Sequence, residues 1–200
     1  MDRPTAPANP KEPALGFQWA MALVVLCTLG LVVAVQRGGA SPEVRSLLRF
    51  AGGLFTVVAS VVGAVWARRC WHNAEVLAPG SQPFRLGWTT AGWLIPVLNV
   101  WMRRRILLGL WRTSGVTGAP LPVHLVAAVD ALSIATNLLP TGWATGATRW
   151  AVLAVALAWA VLFVVTIRRI TARQSAVLDV PQTDSWEAAV EADRARQAAT

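Results

Sequence analysis

Few side chains in this 200-residue sequence are placed to do chemistry. Asp130 is foremost, because it stands ten residues into an otherwise apolar run from Leu121 to Leu139. In lipid, a carboxylate there costs about 2.5–3.5 kcal/mol even on the lenient insertion scale, so it must be neutral, paired or facing water. Ser133 and Asn137 follow at three and seven residues, on the same helical face. The three form one polar site, suited either to handling protons or cations or to joining helices by hydrogen bonds with Asp130 neutral. The second reading is preferred, since transporters normally carry several intramembrane ionisable groups and an internal repeat. No repeat is visible in this sequence. His124 lies nearer the end of the run, at the expected interface.

A second cluster, Cys70, His72, Asn73 and Glu75, follows a hydrophobic stretch. A cysteine and a histidine can act as nucleophile and base, but two residues apart on a helix they point to different faces. Two cysteines and two histidines make no zinc-ligand spacing. No nucleophile elbow, P-loop, dinucleotide fingerprint or zincin pair is present either. The expectation is a protein without metal or cofactor, and not an enzyme.

The elements that must position these residues follow from composition. At 55% hydrophobic and 14% charged, with the charges excluded from the apolar runs, the sequence is far from soluble-domain averages. A bilayer core about 30 Å thick needs about 20 apolar helical residues. Four runs qualify: 17–35, 50–67, 121–139 and 150–167. The first exceeds a signal-peptide core and lacks a net basic flank, so it is expected to remain as an anchor. The fold expected is all-α and integral to the membrane. A disordered cytoplasmic N-terminus (1–16) precedes a four-helix membrane domain (17–167), and a cytoplasmic tail (168–200) carries a short helix beginning near Asp184 and Glu187.

Four spans place 14 of the 18 basic residues on one side, so both termini are expected in the cytoplasm. The uncharged stretch 86–102 competes as a fifth span, but Gly87, Gly92, Pro96 and Asn99 interrupt it, and a fifth span weakens the charge bias. A broken interfacial or re-entrant helix between spans two and three is the preferred reading. Eleven tryptophans accompany no tyrosine, and nine of them (19, 66, 71, 88, 93, 101, 111, 143 and 150) fall near span ends or in the central segment, as a membrane-interface belt would. Gly52, Thr56, Ser60 and Ala64 form a small-residue stripe, suited to a contact within the bundle or between two copies.

Residues 68–114 are the most individual part of the chain, with Asn73-Ala74 and Leu77, a turn at Ala78-Pro79-Gly80, Gly87-Trp88, Gly92-Trp93, Pro96, Asn99, Trp101, and the closing Trp111-Arg112 with Ser114. This combination resembles a bacterial membrane-protein family catalogued as domain of unknown function 4328. The resemblance implies an integral protein of a bacterial cell envelope and carries no reaction, ligand or catalytic residue. Family members often have a proline two residues after the tryptophan at 101, where this chain has Arg103; a softer backbone break is expected here.

In physical terms, Pro96 frees a carbonyl one turn upstream and Asn99 can satisfy such groups. Arg103, Arg104 and Arg105, beside tryptophans, are expected to contact anionic lipid headgroups. The membrane accounts for that charge, and no nucleic-acid fold is recognisable, so no nucleic-acid partner is expected. The partners expected are the lipid bilayer, with a second copy or another membrane protein. The function expected is that of a non-enzymatic scaffold or accessory protein of the bacterial plasma membrane, acting through helix contacts and a Trp/Arg-rich cytoplasmic surface. The alternative is a small solute or ion transport component using Asp130.

Overall fold

A computed structural model describes residues 8–38, 40–137, 146–178, 191–192 and 195–196, by the course of the helix alone at 96–100, 133–137 and 146–147. The described residues are all α: α1 (Lys11–Gln36), α2 (Pro42–Leu77), α3 (Leu86–Leu94), α4 (Pro96–Thr113), α5 (Leu121–Asn137) and α6 (Gly146–Leu178). Three of these, α1, α2 and α6, are long and apolar enough to cross a membrane, whereas the apolar part of α5 among the described residues, Leu121–Leu132, is shorter. Four such helices were the expectation; the structure supports three by length and composition.

The helices outrun the apolar runs that nucleate them. Residues 11–16, expected to be disordered, form the first turns of α1. Pro13 is tolerated there because the first helical amides have no intrahelical acceptor to lose, and Ala14 and Phe17 are buried. At the other end of α2, Cys70, Asn73, Ala74 and Leu77 are buried at helical spacing, so packing carries the helix ten residues past the apolar run. Likewise α6 continues through Ile170, Thr171, Gln174, Ser175 and Val177, all buried, into the stretch expected to be a loose tail. The helix start expected near Asp184 lies outside the described residues.

Between α2 and α5 the chain makes a helical hairpin. Gly80 closes the turn after α2 with φ +75° and donates to Glu75 Oε2 at 3.1 Å. Nine-residue α3 then ends at Ile95, whose extended backbone (φ −96°, ψ 111°) is the conformation a following proline imposes. Pro96 restarts the helix as the first residue of α4. The outer ends of the hairpin meet: Gln82 Nε2 donates to Thr113 Oγ1 at 3.1 Å. Trp71 Nε1 ties the entrance to α2 by donating to the Phe84 carbonyl at 2.8 Å.

The core gathers toward the end of the bundle where Asn9 meets Ser175. Trp66, Trp93, Trp111, Phe163, Leu107, Leu110, Val123 and Ile167 fill it. Away from it, α1 and α2 turn Leu26, Leu29, Phe50, Leu54 and Val57 outward.

Candidate functional site

The tip of the hairpin carries Trp93 into the middle of the bundle. Its ring meets Phe17 of α1 edge-on at 5.9 Å, Trp66 of α2 at 6.2 Å and Phe163 of α6 at 5.6 Å. Gly63 makes room for it, since a Cβ at that position would stand 2.6 Å from Trp93 Cε3. Gly92 likewise lets α3 lie against Met102 and Ile106 of α4.

Against this aromatic wall lies the guanidinium of Arg103, 4.9 Å from the Trp93 centroid and 5.4 Å from that of Phe163. Its Nη1 donates to both oxygens of Asp130, at 3.2 and 3.3 Å. Trp159 of α6 donates from Nε1 to the same Oδ1 at 2.9 Å. One carboxylate therefore joins α4, α5 and α6. The pair is nearly enclosed, with the Arg103 side chain 8% and the Asp130 side chain 13% exposed. A guanidinium remains protonated in proteins, so the hydrogen-bond hub expected around Asp130 gains a cationic partner from α4 that the sequence reading did not name. Three buried donors of the hairpin, Thr89 Oγ1, Trp93 Nε1 and Arg103 Nε, have no partner among the described residues.

Arg103 is thus a correction: it faces Asp130 inside the bundle, not lipid headgroups. The next residue, Arg104, reaches His124 of α5, with Nε 3.3 Å and Nη2 3.0 Å from Nδ1. Arg105 is exposed and stacks over exposed Trp101 at 4.2 Å. Ser133, Asn137 and Asn99 lie on described helices, but their side chains are outside the described residues. The tryptophan belt is corrected as well: Trp66, Trp93 and Trp111 are core residues, while Trp19, Trp88, Trp101 and Trp150 are exposed. Trp143 lies outside the described residues.

A second polar centre, unforeseen in sequence, sits where α2 and α6 meet the segment before α1. Gln174 of α6 donates from Nε2 to the Cys70 carbonyl (3.1 Å) and to Ser114 Oγ (3.0 Å), and accepts from Asn73 Nδ2 (3.2 Å). Asn73 in turn reads the N-terminal segment, accepting from the Ala8 amide at 3.1 Å and donating to its carbonyl at 2.9 Å. Ser175 and Arg69 hold Asn9. The signal was available, because Ile170, Thr171, Gln174 and Ser175 continue one face of α6 beyond its apolar run. Of the motif residues, Asn73, Gly92 and Trp93 pack in or against these two centres, Trp111 is in the hydrophobic core, Pro96 breaks the hairpin, and Gly87, Trp88, Trp101 and Arg112 are on the surface.

Cys70 is fully buried and His72 half-buried, so the two are not presented together to a substrate. Among the described residues no three His, Cys, Asp or Glu side chains are gathered as a metal site would need. A family model described as domain of unknown function (DUF4328) matches residues 30–177. No curated protein and no solved structure matches the chain.

Proposed function

This chain belongs to the DUF4328 family, and we propose that it is a non-enzymatic scaffold or accessory protein of the bacterial plasma membrane. In this reading α1, α2, α5 and α6 are four spans, both termini are cytoplasmic, and α3 with α4 forms a re-entrant hairpin. Trp93 supports the dip, because its contacts Phe17, Gly63 and Phe163 all lie inside apolar runs. The joined hairpin ends, Gln82 and Thr113, favour entry and exit on one side over a fifth span.

The observation that carries the scaffold reading is the Arg103–Asp130 ion pair with its Trp159 donor. It engages the one carboxylate within the apolar runs in holding three helices together, and so leaves partner contact to the exposed surface around Trp101 and Arg105. A photo-reactive residue in place of Trp101, activated in native membranes, tests this. A discrete protein adduct that Arg105→Glu abolishes is expected; adducts with lipid alone would contradict it.

One observation favours the alternative of a solute or ion transport component: Thr89, Trp93 and Arg103 of the hairpin leave three buried donors without a partner among the described residues. Each such group costs about 1–3 kcal/mol, a cost that a polar path through the bundle would relieve. Asp130-dependent cation or proton leakage from proteoliposomes would move the assignment to that class.

A further inference from the structure

A groove of about 400 Å³ runs along the outside of the bundle between α1 and α6. One end is polar, with Gln18 on α1 and Arg168 on α6; the other is formed by Val25 and Leu157, with Val164 between. The two helices are antiparallel here, since Phe17 meets Phe163 and Asn9 meets Ser175, so both polar residues lie toward the same end of the groove, at the start of the first apolar run and the end of the last. Leu157 and Arg168 are eleven residues apart, about 16 Å of helix. That is half of a hydrocarbon core about 30 Å thick, the depth of one leaflet. None of the lining residues is acidic, and Arg168 pairs with no carboxylate among the described residues.

From this match of length, polarity and charge we infer that the groove seats one anionic phospholipid, its acyl chain along the α1/α6 wall and its phosphodiester at Arg168. The inference rests on the membrane reading above for the level of the polar end. A second copy of the chain would have to bring an acidic group to the level of Arg168, and a zwitterionic lipid would bring its own cation there. An anionic headgroup over a single chain meets both ends of the groove.

Native mass spectrometry of delipidated protein, titrated with phosphatidylglycerol or phosphatidylcholine of identical chains, tests it. The parent is expected to retain phosphatidylglycerol preferentially. Arg168→Gln should lower that preference about fivefold, the contribution of one cation near a headgroup, with a smaller loss of phosphatidylcholine retention. Ala22→Phe, filling the groove, should reduce retention of both. Arg168 and Ala22 are exposed, so thermal transitions should stay with the parent and confirm folding. The proposal is overturned if Arg168→Gln keeps the preference, if Ala22→Phe retains lipid normally, or if inorganic phosphate displaces phosphatidylglycerol, which would mark a free-anion site. A lipid-free dimer crosslinking through Val161 would assign the groove to a second copy. Lipid retention in detergent is read independently of topology, so failure of the membrane orientation is seen separately, in reporter fusions.

Discussion

Gly63 of α2 is the seat of Trp93: a methyl group on that glycine would overlap the Trp93 ring at Cζ3 and lie 3.1 Å from Phe17 Cδ2. The hairpin enters the bundle because one residue of α2 has no side chain. Gly63→Ala should therefore destabilise by about 1–3 kcal/mol, as overpacking does, although alanine is the better helix former. Gly53→Ala on the same helix meets nothing within 4 Å and should leave stability unchanged or raised. Thermal unfolding of both in detergent checks the contrast.

What could be read in the sequence, and what could not, divides along physical lines. Asp130 is legible because a carboxylate in an apolar run needs a reason. Its partner was hidden in Arg103-Arg104-Arg105, which as a block resembles a headgroup collar. A helix turns about 100° per residue, so the three arginines point to Asp130, to His124 and to the surface at Trp101. Composition likewise signals eleven tryptophans suited to an interface, yet burial of Trp66, Trp93 and Trp111 depends on which helix faces which. Gln174 was missed because it lies beyond the apolar run, where its helix was expected to have ended.

The joined hairpin ends make a topological prediction. In a cysteine-free background, cysteines at Gln82 and Thr113 should be bridged by a short bismaleimide, and both should react only from the cytoplasmic side. Reaction of either from outside the cell would instead support a fifth span.

Orientation is tested separately with reporter fusions. Fusions at Gly80, Gly118 and Thr200 should report cytoplasmic positions and one at Gly39 an external position, following the 14 of 18 basic residues that the four-span arrangement gathers inside.

The Gln174 centre predicts how the N-terminal segment is held. Asn73→Ala removes both bonds to Ala8 and the donor to Gln174 Oε1. A loss of about 1–3 kcal/mol is expected from the groups left unpaired. Cleavage at Lys11 by trypsin should be faster than in the parent, and Asn73→Asp, which sets a buried carboxylate oxygen against the Ala8 carbonyl and Gln174 Oε1, should lose at least as much.

The Arg103–Asp130 pair is the centre of the account, and a double-mutant cycle measures it most directly. Thermal or denaturant unfolding is followed for Arg103→Met, Asp130→Leu and the double variant, each scored for membrane insertion. Either single change leaves a buried charge without its partner and should cost about 3–5 kcal/mol, whereas the double change should recover most of that loss. Strict additivity, or an Asp130→Asn protein as stable as the parent that loses a transport phenotype, would contradict a structural clamp and make Asp130 a working carboxylate.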